Sequence, residues 1–218
     1  MRPLRLVPGV NPYAEGACLV SLGETEVLCT ATVEDGAPVF LEGQEQGWVT
    51  AEYAMLPRAT HTRTDRGHAQ QGRAREISRL IGRSLRAAVD LSKIAGFTVR
   101  VDCDVLVADG GTRCASITGG WVALALALKG LGKGPRFPVA ALSLGRVKGE
   151  LLLDLDYAED SAAEVDLNLV LSPGGQLVEV QGTGEKGLFT IDELNLMVAA
   201  GVKAAEDMFA AQRQALQE

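Results

Sequence analysis

Apolar positions along the chain change their spacing several times, and each change marks an element. Ala17 to Leu22 and Thr25 to Val33 are apolar and β-branched and flank Gly23-Glu24, which reads as two strands joined by a hairpin turn. A further extended run covers Gly47 to Leu56. From Ala74 to Asp90 the interval lengthens: Ile77, Leu80, Ile81, Leu85 and Ala88 recur at helical spacing and leave Arg75, Arg79 and Arg83 together on another face. Val99 to Val107 alternates as a strand. The run Asp109-Gly110-Gly111-Thr112-Arg113 then breaks the pattern before a very apolar helix that extends from near Ala115 to Gly130.

Glycine and proline make GLGKGPRFP, Gly130 to Pro138, a loop and the best boundary between two halves. Beyond it Val139 to Val147, Leu151 to Leu155, Val165 to Leu171 and Gln176 to Gln181 read as strands. A last helix opens on Thr190-Ile191-Asp192-Glu193, a capping box. Each half is strands followed by helix, with no repeat between the halves and no linker long enough to separate them. The expectation is an α+β fold, residues 1–218 as a single domain, with mixed sheets packed on helices.

Composition narrows the class. The chain has 218 residues, 47% of them hydrophobic, enough for a core without disulfide or metal staples. No apolar stretch is long enough to span a membrane, and MRPLRLVPGV lacks the apolar run of a signal peptide, so a cytoplasmic protein is expected. Cys18, Cys29, Cys103 and Cys114 form no C-x-x-C pair and are expected to act as small buried hydrophobes.

The formal net charge of -7 by itself argues against nucleic acid. Resolved by segment it argues the opposite. Between Arg58 and Arg86 lie eight arginines (58, 63, 66, 73, 75, 79, 83 and 86), no lysine, and only Asp65 and Glu76 as acids. A solvated helix face would be expected to mix in lysine, whereas the guanidinium fork suits phosphate oxygens.

Two constellations carry candidate chemistry. Gly110-Gly111-Thr112-Arg113 lies between a strand and a helix N-terminus, where free N–H groups, the helix dipole, a hydroxyl and a guanidinium suit a phosphate; Gly-Gly also serves turns by geometry alone. The Walker spacing is absent. The second is DLDYAEDSAAEVD, in which Asp154, Asp156, Glu159, Asp160, Glu164 and Asp166 have no basic neighbour in sequence. Such acids either face water or share a cation, and Asp160 and Asp166 can close around Mg²⁺ or Mn²⁺. His61 and His68, in a polar loop, are expected to face solvent or RNA. No Ser/His/Asp or Cys/His arrangement is suggested. An arginine strip, an anion turn and an acid cluster together suit phosphoryl transfer, which needs alignment and charge neutralisation more than covalent chemistry.

Five segments carry a resemblance: QGWVTAEYAMLPRATHTR from Gln46, LIGRSLRAAVDL from Leu80, DCDVLVADGGTRCASITG from Asp102, LDYAEDSAAEVDLNLV from Leu155 and VEVQGT from Val178. They resemble the ribonuclease PH family, phosphate-dependent 3′ exoribonucleases of bacteria, over nearly the whole chain. The resemblance implies that Arg73, Gly111, Thr112 and Arg113 hold inorganic phosphate, the co-substrate. Asp160 and Asp166 match the family's acidic pair, associated with catalysis and a divalent metal, expected to be Mg²⁺. Arg58, Arg63 and Arg66 match arginines that grip the tRNA acceptor end. Implied too are a homohexamer built as a trimer of dimers, trimming of tRNA precursors and other RNA 3′ ends, and no membrane partner.

The sequence departs from the family pattern in four places. Family members usually begin about ten residues earlier, with an arginine-containing element not seen in this sequence, and the loop from Thr64 to Gly72 looks about three residues shorter than usual. Cys114 stands where threonine is common, and GTGEKGLF, from Gly182, replaces a more acidic stretch. The expected activity is a phosphorolytic tRNA nucleotidyltransferase. The alternatives are a non-catalytic RNA-binding ring subunit of an exosome-like assembly and a hydrolytic metal-dependent nuclease.

Overall fold

The computed structural model describes residues 1–66 and 72–217. Among the described residues, nine strands and four α-helices follow one another as β1 (Leu4–Pro8), β2 (Gly16–Leu22), β3 (Thr25–Asp35), β4 (Trp48–Met55), α1 (Gly72–Ala87), β5 (Phe97–Val107), α2 (Thr112–Gly130), β6 (Ala140–Val147), β7 (Glu150–Leu153), α3 (Tyr157–Ala162), β8 (Val165–Ser172), β9 (Gln176–Gly184) and α4 (Ile191–Ala215). The first five strands form one sheet in the order β1-β2-β3-β5-β4, and the last four form a second in the order β7-β6-β8-β9. The α+β expectation holds. Only the first sheet is mixed, through the parallel pairing of β4 with β5, while every pairing in the second is antiparallel.

The position of α2 explains its composition. It packs on β2 and β3 of the first sheet and on β6 of the second, so it has no face left for water. Residues from Cys114 to Leu128 are accordingly buried almost without interruption, as an all-round apolar helix requires. Helix α1 is the contrasting case. It buries Ile77, Leu80, Ile81 and Leu85 beside β4 and leaves an arginine-rich face outside. Two of its side chains also satisfy the free edge of β4: Ser78 Oγ accepts from the Tyr53 N–H at 2.9 Å, and Arg86 donates to the Val49 carbonyl at 2.7 Å.

Helix α4 lays Met197, Met208 and Phe209 on Leu142, Leu144, Leu167 and Leu169 of the second sheet. Its Gln212 donates to the carbonyls of Thr118 and Val139, tying it to α2 and to the approach to β6. All four cysteines are free and buried, as expected. No described helix is long and apolar enough to cross a membrane.

Three elements differ from expectation for identifiable reasons. Strand β1 was not read from sequence, although Leu4, Leu6 and their neighbours pair in register with β2. Helix α3 was missed too, although Asp156 and Glu159 form a complete capping box, each side chain accepting the other's backbone N–H. Strand β7 stops at Leu153 because Asp154 adopts a left-handed backbone, with φ at 62°.

Candidate active site

The break after β5 becomes a helix N-terminus. Gly111 occupies the N-cap of α2 with φ at 65° and has no side chain to offer the first-turn N–H groups, which leaves them available to an anion. Gly110, at φ 74°, has to be glycine for a second reason: a Cβ there would lie 2.4 Å from the Leu155 carbonyl oxygen. The segment between β7 and α3 therefore presses directly on the turn.

Remote side chains brace the turn. Thr25 Oγ1 donates to the Gly110 carbonyl and accepts from the Asp109 N–H, at 2.7 and 2.9 Å. Arg2 donates to the Asp109 and Leu155 carbonyls and to both oxygens of Asp154. Thr112 Oγ1 meets the Tyr53 hydroxyl at 2.8 Å. Burial pushes the Tyr53 phenol above its ordinary pKa, partly offset by Thr112, Arg73 and Arg113, so Tyr53 stays a neutral hydroxyl.

A cleft of about 400 Å³ opens in front of this turn. Arg73, Gly111, Thr112 and Arg113 line it together with Asp160 and Asp166, so the four expected phosphate-binding residues and the acidic pair share one space. Arg73 comes from the start of α1, the turn from α2, Asp160 from α3 and Asp166 from β8. The Arg113 guanidinium is steadied at 3.4 Å by Gln181, which donates to Glu179, itself paired with Arg83.

Tertiary contacts sort the six acids expected to face water or share a cation. Asp154 is buried and paired with Arg2, and Glu164 pairs with Arg146 at 2.8 Å. Asp156 and Glu159 cap α3. Only Asp160 and Asp166 of the six line the cleft. Burial, and next the negative charge of Asp160, push the Asp166 carboxyl above its ordinary range, with Arg113 and Asn168 pulling the other way. The described residues contain no group of three or more His, Cys, Asp or Glu poised around one point. Two carboxylates nevertheless fit Mg²⁺, which is commonly held by one or two carboxylates and completed by water and substrate phosphate oxygens.

The arginine strip is divided rather than continuous. Arg73 reaches the cleft, but Arg83 is engaged with Glu179, and Arg86 stacks 4.3 Å above the Trp48 ring while bonding the β4 edge. These two stabilise the fold and are not free for RNA. Arg58, Arg63 and Arg66 are exposed and do not line the cleft; Arg63 pairs with Asp65 at 3.0 Å on the surface. His61 is exposed, whereas His68 lies outside the described residues.

Sequence reading missed Tyr53, Asn168, Glu185 and Lys186, all of which line the cleft or its turn. Asn168 had a legible signal, since it follows Asp166 by two positions in a strand and must share its face. Lys186 lies in the GTGEKGLF departure and donates to the Ser161 carbonyl at the end of α3.

With this geometry in place, comparison with known proteins is informative. A model of the 3′ exoribonuclease family, domain 1, matches residues 1–129, and a model of domain 2 of the same family matches residues 138–204. Similar solved structures include rice (Oryza sativa) Rrp46, with TM-score 0.83 and 19% identity over 100% of this chain and 96% of that one. Another is the Archaeoglobus fulgidus exosome with RNA bound to the active site, with TM-score 0.83 and 23% identity over 95% and 87%. An archaeal exosome core gives TM-score 0.80 and 21% identity over 97% and 87%. At these identities the likeness to the solved structures is one of fold.

Proposed function

The chain belongs to the 3′ exoribonuclease family, and on that footing we propose that it shortens RNA from the 3′ end by phosphorolysis, releasing nucleoside diphosphates. The observation that carries this reading is the single cleft in which Arg73 and the Gly111–Arg113 turn face Asp160 and Asp166. Inorganic phosphate is held by Arg73, Arg113, Thr112 and the free N–H groups of α2. One of its oxygens attacks the terminal phosphorus in line as the bond from phosphorus to the preceding 3′ oxygen breaks. That oxygen leaves as the 3′ hydroxyl of the shortened RNA and takes up a proton at the acidic pair.

Asp160 and Asp166 are the residues that would hold Mg²⁺, which when bound supplies positive charge to the phosphoryl oxygens. A diester is exchanged for a phosphoanhydride, so the reaction is reversible. Arg58, Arg63 and Arg66, exposed and outside the cleft, are proposed to grip the body of a tRNA precursor. The assembly is proposed to be a homohexamer, a trimer of dimers, and sizing by light scattering tests it.

A second reading is favoured by the fold likeness to two archaeal exosome structures, one with RNA bound to the active site. In it the chain binds RNA as a ring subunit of an exosome-like assembly and does not cleave. Incubation with tRNA carrying a short 3′ tail decides. Shortening that requires phosphate and releases diphosphates supports phosphorolysis, monophosphate release without phosphate indicates a hydrolytic nuclease, and RNA binding without shortening supports the ring subunit.

A further inference from the structure

We propose that Asn168 is a positioning residue for Asp166, and that the Cys114 thiol braces the Asn168 amide by donating to its oxygen. This rests on the phosphorolytic reading of the cleft and deepens it. Asp166 and Asn168 project from the same face of β8, and Asn168 is almost fully buried, so its amide needs partners on both ends. Its Nδ2 donates to Asp166 Oδ1 and Oδ2, each at 3.2 Å. Its Oδ1 accepts from Cys114 Sγ at 3.4 Å.

The orientation of that amide follows from chemistry. Burial pushes the Cys114 thiol up to about 12, so it remains protonated and offers a donor. A flipped amide would set its oxygen against a carboxylate, which only accepts, so the NH₂ end must face Asp166. The carboxylate thus selects which end of the amide faces it, and the thiol holds the other end by donating to Oδ1.

The consequence is control of a torsion. Rotation of a carboxylate about its terminal bond is soft and broad, so without a partner its plane is not fixed. An Nδ2 held equally far from both oxygens by an amide that is itself anchored at its other end restrains that rotation. Cys114 directly follows Arg113 in the first turn of α2, so the turn that holds phosphate also orients the group across the cleft from it. Phosphate and acid are thereby held to one geometry, the condition an in-line displacement needs.

The test uses the full chain and the tailed tRNA assay. Asn168→Ala is expected to lower kcat by about tenfold or more while the KM for phosphate stays within about twofold, because the phosphate ligands are untouched. Calorimetric binding of inorganic phosphate without added metal should likewise be unchanged. Cys114→Val, which keeps the volume and removes the donor, should lower kcat several-fold, and Cys114→Ser should restore it. Should Asn168→Ala fail to fold, the Val and Ser pair at Cys114 gives the same reading. Unchanged kcat in Asn168→Ala or Cys114→Val, with an active parent protein, overturns the positioning role alone. A parent protein that never shortens RNA with phosphate overturns the reading beneath it, and this role with it.

Discussion

The Arg2 guanidinium meets the Asp154 carboxylate behind the glycine turn, with Nη2 2.6 Å from Oδ1 and Nε 3.1 Å from Oδ2. Asp154 is buried, and the bond joins the approach to β1 with the end of β7, edge strands of the two sheets. Burial opposes the Arg2 charge, but the bond and attraction to Asp154, with Asp109 and Asp156 beyond, outweigh it and raise its pKa. Arg2→Ala leaves a buried carboxylate unpaired, a loss of about 3 kcal/mol. Thermal unfolding should fall by roughly 6–12 °C at this chain length. The KM for phosphate should rise as the turn loosens; a melting temperature within a degree of the parent's would refute the clamp.

Arg113 stands at the start of α2 and reaches the cleft, where among the described residues its guanidinium donates to Gln181 alone, at 3.4 Å, and so has donors to spare for phosphate. Arg113→Ala should abolish phosphate-dependent turnover while RNA affinity, measured by filter binding, changes little. Unchanged turnover would remove the turn from the mechanism.

Arg58, Arg63 and Arg66 are exposed arginines outside the cleft. Replacing all three by alanine should weaken tRNA binding and reduce the slope of log affinity against log salt by about 2, because fewer counterions are released. The reaction on a short single-stranded RNA should be less affected than that on tRNA. A salt slope equal to the parent's would show that these side chains do not meet phosphates.

On the outer face of the first sheet, burial holds the Asp102 carboxyl above its ordinary pKa, with Glu52 adding to the effect and Arg100 opposing it. A carboxylate whose pKa is raised by folding destabilises the fold once ionised. That penalty is present at neutral pH, is relieved as pH falls through the folded-state value, and is gone below the unfolded-state value. Asp102→Asn should therefore raise the melting temperature at pH 7 and lose its advantage as the solution is acidified below the ordinary carboxylate range. An advantage that is the same at pH 7 and pH 3 would contradict this linkage.

Much of the architecture was legible because it is local. The helical spacing of Ile77, Leu80, Ile81 and Leu85 determines which face of α1 is buried, and that face is the one the structure buries. The alternation of β5 and the Gly110-Gly111 break after it placed a helix N-terminus where α2 begins. What was misread was local as well: the Asp156 to Glu159 capping box was present in the sequence and announces α3 as plainly as Thr190 to Glu193 announces α4.

The acids and arginines were different: the sequence pointed to Asp160, Asp166 and Arg73, but its spacing said nothing of what engages the other acids or Arg83 and Arg86. Their roles depend on partners far away in the chain. Arg2 reaches Asp154 across a separation of 152 residues, Arg146 comes from the neighbouring strand to neutralise Glu164, and Glu179 on β9 engages Arg83. The sequence by itself determined most of the elements, the family resemblance and the chemistry of the glycine turn, because periodicity and backbone conformation are set by near neighbours. Only the tertiary structure decided that Asp154, Asp156, Glu159 and Glu164 are taken up by partners while Asp160 and Asp166 open onto the cleft with Arg73 and Arg113, because whether a charge is neutralised is fixed by distances in space, which no spacing along the chain records.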